Sequence, residues 1–471
     1  MKKLLILYTF LFALTLTSFG QQSKTLYYME RLPQIHTMNP ALQPTCNFYL
    51  GFPGISATNL NIGNNSLSYE DVIFKSSAND SLITFLHPTA DVDDFIGNLK
   101  DRNTFFTEFS TNIFSFGFRA GDGYFSFGVM EKSELSLAYP KDLASLLLKG
   151  NSQFKGETIE FGNLSVASNN YLEYGLGYSH KVFDNLTIGI KAKYLHGLAN
   201  IRSEEFNLSL FTNETGDSLS VETDIQLEAN APVQISTDNQ GYIDDINERD
   251  IDFSDITANP GFAFDVGATY ELRDKFTFSA SVVDFGFINY KNFPHKYSLK
   301  GTYAFTGLDV SSELTEDDTE EDSDPFDEVL DSLENSISAE YTEDQYFASL
   351  GPKIFLGGRY HLNDKVDFGV LSRTRFHDGR IQQSFTLSAN TRPIRGISLT
   401  GSYSIINNSY NNVGMGLALR LGPFQVYTMS DMFSAGLWPQ KTQSFNLRFG
   451  LNFVFGCNRE RRILQKEPML Y

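Results

Sequence analysis

The stretch SFNLRFGLNFVF, residues 444–455, decides the architecture. Phe445, Leu447, Phe449, Leu451, Phe453 and Phe455 take alternate positions, and Ser444, Asn446, Arg448, Gly450 and Asn452 fall between them. Successive side chains on a strand point to opposite faces, so one face is a Phe/Leu ridge and the other is small or polar. One such strand fits a soluble sandwich. A series of them, joined by short turns at one end, is the pattern of a transmembrane β-barrel with its ridge against lipid.

The series is present. Phe109 to Arg119 and Tyr124 to Ala138 form a hairpin about Asp122-Gly123, and Asp-Gly is strong hairpin chemistry. Tyr171 to Lys181 pairs with Leu186 to His196, and Phe262 to Leu272 with Phe276 to Tyr290, where the pattern slips near Asp284-Phe285-Gly286 and predicts a bulge. Lys353 to Leu362 and Val366 to Phe376, Ile381 to Thr391 and Gly396 to Ile406, and Val413 to Leu421 and Phe424 to Ser430 continue it. A first strand over Asn47 to Ile62 is interrupted by Pro53 and Gly54. With residues 444–455 the count is about 14, an even number as expected for bacterial barrels. The fold class is all-β, a transmembrane antiparallel barrel. The short turns fall on one side, read as periplasmic. The long segments 63–108, 139–170, 197–259 and 291–347 fall on the other, read as extracellular loops, with room in 197–259 for a hairpin of its own, Phe206 to Leu210 with Ser218 to Leu227. Helical stretches are expected at Asp94 to Leu99 and at Lys141 to Lys149, the second bounded by Pro140 and Gly150.

The ends fit an exported chain. Met1-Lys2-Lys3, an apolar run from Leu4 to Leu16 and small residues before Gln21 read as a signal peptide over residues 1–20. That run is short of the ~20 residues of a spanning helix. Residues 21–46 are a lead segment without strand period, 47–457 the barrel, and 458–471 a periplasmic tail. The expected location is the outer membrane of a Gram-negative bacterium, with outer-membrane lipid as the surrounding partner. Mean hydropathy is −0.23 although aromatics reach 14%. Alternating lipid-facing and lumen-facing residues average to that value. A net charge of −20 speaks against nucleic acid as a partner.

Two cysteines, Cys46 and Cys457, flank the barrel. First and last strands of a closed barrel are neighbours, so a Cys46–Cys457 disulfide is the expectation. Alternation sends Arg119, Glu173, Lys191, Lys193, Asp265, Glu271, Arg373, Arg375, Arg420 and Arg448 into the lumen. Their mixed signs read as an interior ion-pair network or contacts with a plug; a selective pore lining is the alternative. The acidic run Glu316–Glu334 has carboxylates for Ca²⁺ but neither the spacing nor the glycine of a calcium loop, so it reads as a solvated loop. Scattered histidines without metal spacing and the absence of a Gly-x-Ser-x-Gly elbow argue against a metal, a cofactor and an enzyme.

Some of these residues carry a resemblance. Met38-Asn39-Pro40-Ala41, Pro140-Lys141-Asp142-Leu143 through Gly150-Asn151, and above all Gly261 to Tyr270 followed by Val283-Asp284-Phe285-Gly286-Phe287-Ile288 resemble a family of Bacteroidota outer-membrane proteins known only as a domain of unknown function. That family is similar to barrels of the FadL and PorV type. The resemblance covers nearly the whole mature chain. It implies a FadL-like barrel whose N-terminal segment enters the lumen as a plug, with Asn39, Pro40 and Ala41 among the lumen candidates. The FadL likeness implies uptake or holding of a hydrophobic small molecule. The PorV likeness implies a plugged structural barrel that scaffolds partners, such as secretion-system proteins, in secretion or surface attachment.

Overall fold

The structure, a computed structural model, describes residues 24–76, 81–250, 252, 254–305, 336–377, 380–406 and 409–457. The expected signal peptide, the acidic run Glu316–Glu334 and the tail from residue 458 lie outside the described residues.

Strands form where the alternation is strongest, and they close on themselves. The first is in two pieces, Phe48–Gly51 and Thr58–Asn64. Then follow Arg102–Ala120, Gly123–Pro140, Ser165–Phe183, Leu186–Thr212, Pro260–Leu272 and Phe276–Tyr290. The next is again broken, Tyr346–Ser349 continued by Lys353–Asn363. Val366–His377, Arg380–Thr391, Ile397–Ile406, Ser409–Leu421, Phe424–Ser430 and Ser444–Phe455 complete the set. All neighbours pair antiparallel, and Phe48–Gly51 pairs on one side with Phe455–Asn452 and on the other with Phe118–Ser115. The result is a closed 14-stranded barrel without an open edge.

The ridges face out. Phe262 is 60% exposed and Leu387 58%, and the same ring includes Phe278, Phe285, Leu356, Val370 and Phe449. A continuous apolar exterior of this kind belongs in lipid, and a closed barrel satisfies every wall amide there. No helix among the described residues is long and apolar enough to cross a membrane. The strands make the crossing.

The outer end differs from the loops expected there. Leu186–Thr212 runs for 27 residues and rises well past the hydrophobic band. Beyond the barrel it pairs with Leu219–Asn230, which pairs with Pro294–Phe305, which pairs with Ile337–Thr342. The described parts of segments 197–259 and 291–347 therefore largely form an external sheet. Alternation continues in part of it, with Phe206, Leu208 and Leu210 opposite Ile225, Thr223 and Val221 and polar residues between them. Likewise Arg102–Ala120 begins inside the expected loop 63–108. Two outer connections are far from long, since His377 pairs with Arg380 and Ile406 with Ser409. The helix Lys141–Lys149 ends at Gly150, whose φ is +75°. It packs Ala144 and Leu148 against Phe95, Ile96 and Leu99 of the Val92–Asn98 region to make a small outer cap.

At the short-turn end Cys46 and Cys457 are bonded, with Cα atoms 3.9 Å apart across a sequence separation of 411. The link closes the seam beside backbone pairing that already closes it. Replacing both residues (Cys46→Ser with Cys457→Ser) is expected to lower stability by about 3 kcal/mol, through added freedom of the unfolded chain, while the barrel still forms. Urea titration of heat-modifiable gel mobility reads this; an unchanged midpoint under oxidising conditions refutes it.

Candidate functional site

The lumen is occupied by the chain's own N-terminal segment. Leu26, Tyr27, Tyr28, Met29, Leu32 and Ile35 are all at most 4% exposed. They pack on a wall patch of Val283, Phe355, Leu371, Ala418, Tyr427 and Met429. Two short 3₁₀ turns, Lys24–Tyr28 and Pro33–Thr37, give the segment its compact course. Backbone groups that these turns leave free find partners on the wall. Asp431 accepts from Lys24 N at 2.7 Å, Thr25 N at 3.0 Å and Thr25 Oγ1 at 2.5 Å. Ser281 donates to the Met38 carbonyl at 2.7 Å, and Gln425 donates to the Arg31 carbonyl at 2.8 Å. Gln34 and Asn452 exchange amide hydrogen bonds. Glu30 ion-pairs with Arg359 and with Arg392, the latter at 3.0 Å. His36 is held down to about 4 by burial, with Lys191 adding to the effect, so it is neutral and its Nδ1 donates to the Pro33 carbonyl at 2.6 Å.

The Asn39-Pro40-Ala41 turn docks against two wall glycines. A Cβ on Gly189 would lie 2.3 Å from the Pro40 carbonyl carbon, and one on Gly267 would lie 2.1 Å from Asn39 Oδ1. Only glycine lets the backbone come so near. The Asn39 amide donates to the Ala268 and Ala280 carbonyls, and its oxygen accepts from Ala41 N at 2.9 Å. Further along, Arg119 holds Gln43 and the Pro44 carbonyl.

Above the segment lies a buried ion network. Its hub is made by the bulge in Phe276–Tyr290. The register shifts opposite Phe264–Val266, and Asp284 takes φ +59°, so Val283 and Asp284 both point inward. Asp284 then meets three lysines: Lys193 at 2.5 Å, Lys353 at 2.9 Å and Lys132 at 3.3 Å. Its own N–H donates to Asp265 at 2.8 Å, and Asp265 pairs with Lys193 at 2.6 Å. Glu173 takes Lys191 at 2.6 Å and Lys132 at 2.7 Å. Arg375 joins Glu108 and Glu134, the latter at 2.5 Å. Five cations (Lys132, Lys191, Lys193, Lys353, Arg375) meet five carboxylates (Glu108, Glu134, Glu173, Asp265, Asp284) in this set. Burying them is tolerable because each is paired.

Of the charges expected inside, Glu173, Lys191, Lys193, Asp265, Arg373, Arg375 and Arg448 are buried on the lumen side. Glu271, which keeps the strand parity of Asp265 and Thr269, is exposed, because it sits at the rim where the strand runs into its turn. Arg420 is only half-buried, in a small recess near Arg31 at the short-turn mouth. Alternation applied to Gly123–Pro140 would have added Lys132 and Glu134. Glu30 and Asp431 lie outside periodic strand and left no such trace. Among the described residues no set of three His, Cys, Asp or Glu side chains is placed to hold a metal. A cavity of about 60 Å³ lies between segment and network, lined by Met38, Lys132, Glu173, Lys191, Asp284 and Arg448 among others.

A closed barrel with an apolar exterior and a self-filled lumen defines an outer-membrane β-barrel protein. The chain belongs to the family of unknown function DUF5723, whose model matches residues 40–431. No match was found among curated proteins. Among solved structures it is similar to the toluene transporter TbuX of Ralstonia pickettii, at 10% identity and a TM-score of 0.39, covering 89% of this chain and 93% of that one. It is similar also to a FadL homologue of Pseudomonas aeruginosa, at 9% identity and a TM-score of 0.40, covering 90% and 94%. The translocator domain of the autotransporter NalP from Neisseria meningitidis is a fainter likeness, at 7% identity and a TM-score of 0.30, covering 87% and 88%. Likeness at this level carries no substrate.

Proposed function

We propose that this protein is a plugged structural barrel of the outer membrane that presents its external sheet to surface or secretion partners and is not a standing conduit. The observation that supports this is the tying of residues 24–41 to the wall on every side, which leaves a cavity with room for only a few waters. The experiment is conductance in planar bilayers. The wild-type barrel is expected to stay closed, and deletion of residues 24–41 is expected to give stable open steps. A wild-type barrel that conducts continuously overturns the proposal. Cross-linking followed by purification should then recover a constant partner on the outer face.

A second reading, holding or uptake of a hydrophobic small molecule, has one observation in its favour. Removing the segment would bare the apolar patch around Phe355, Leu371 and Tyr427. On this reading the segment occupies at rest the slot a ligand takes when the segment moves. Uptake of a hydrophobic fluorescent probe that disappears when the protein is deleted from cells supports it; equal uptake with and without the protein removes it.

A further inference from the structure

The lumen cavity has a chemical bias that neither reading of function uses. Within its lining, Glu173 and Asp284 are each closed off by lysines at 2.5–2.9 Å. The five-against-five network described above is neutral without any further group. Arg448 lies outside it. This guanidinium lines the cavity and is only 7% exposed, and its Nε has no hydrogen-bond partner among the described residues. No described carboxylate lies within ion-pairing distance of it. Asp431 acts on it only from beyond ion-pair distance, its oxygens accepting instead from the N–H groups of Lys24 and Thr25 and from the Thr25 hydroxyl.

A buried cation without a directly paired carboxylate is a costly arrangement for a fold to hold. Arginine does not escape the cost by losing its proton. Two remedies exist, water and an anion. Water satisfies donors but leaves the charge. The Asn59 side chain also lines the space, as do Lys132 and Lys191, so N–H donors converge there from several strands. We infer that the cavity is a binding site for a small monovalent anion of the halide class, with Arg448 as its principal ligand. About 60 Å³ holds such an ion with a water or two. It has no room for the chain of a fatty acid, although the head group of one has the same charge chemistry.

The test uses the whole barrel, folded in detergent. Soaking crystals in bromide should give one anomalous peak inside the lumen beside Arg448. In solution, bromide at constant ionic strength should raise the unfolding temperature relative to gluconate, as preferential binding to the folded state requires. The shift should vanish in Arg448→Gln and persist in part in Arg448→Lys. No lumen peak, or the same shift in Arg448→Gln as in wild type, overturns the site. Should Arg448→Gln fail to fold, the wild-type bromide peak still decides. Octanoate is the remaining arm: tighter binding of octanoate than of bromide or acetate means that the site takes an amphiphile's head group, and the small-ion assignment then falls.

Discussion

Asp284→Asn is expected to cost the folded barrel at least 3 kcal/mol, more than a hundredfold in the folded-to-unfolded ratio. The substitution isolates charge from conformation. Asn tolerates the left-handed backbone that Asp284 adopts at φ +59°, so the bulge itself can persist. What disappears is the carboxylate that Lys193, Lys353 and Lys132 share. Lys193 retains Asp265 and Lys132 retains Glu173. Lys353 keeps only Glu134 at 3.9 Å, and its side chain is 2% exposed. An unpaired buried charge, not the lost attraction alone, makes the effect large. Adding Lys353→Met to Asp284→Asn should recover part of the loss by removing the stranded cation. Urea titration followed by heat-modifiable mobility reads both variants. A midpoint for Asp284→Asn within error of wild type shows that the hub is not what pairs these lysines.

The second large effect is local. Asp431→Ala removes the acceptor of three hydrogen bonds that hold the front of the inner segment. Two of the donors are backbone N–H groups. Each one left buried and unsatisfied costs roughly 1–3 kcal/mol. The barrel wall does not depend on them, because its ladder is complete without the segment. The cheaper outcome is therefore detachment of residues 24–29 from the wall, not loss of the barrel. Hydrogen exchange is expected to show protection lost at Lys24 to Met29, with the wall strands unchanged. The variant should also show bursts of conductance in bilayers where the wild type is closed. Full retention of protection in this segment contradicts the account of how it is held.

The two variants separate two roles. Asp284 belongs to the wall network and Asp431 to the tether of the segment. A protein whose only purpose is a sealed lumen needs both. One that admits a hydrophobic molecule needs the first and must release the second.

Sequence alone determined the barrel. Alternation in residues 444–455 and in its partners fixed which face meets lipid, because period 2 leaves no freedom in side-chain direction once one face is apolar. The same rule sent Glu173, Lys191, Asp265 and Arg448 inward. Pro53-Gly54 and the slip at Asp284 marked the irregular places. Only the tertiary structure decided what these charges do. Lys132, Lys193 and Lys353 come from strands far apart in the chain, and they meet because barrel closure and one bulge bring Asp284 between them. The external sheet was legible in part: the hairpin of Phe206 to Leu210 with Ser218 to Leu227 shows in its alternation, whereas the pairing of Leu219–Asn230 with Pro294–Phe305 joins residues far apart in the chain. The inner segment has no period at all. Its place follows from glycines at 189 and 267 and from the acceptor Asp431, which gain their meaning when the wall curves round them. Residues 444–455 hold both lessons: their Phe/Leu face could be read as the lipid face from the sequence, whereas the isolation of Arg448 on the other face depends on how the remaining thirteen strands surround it.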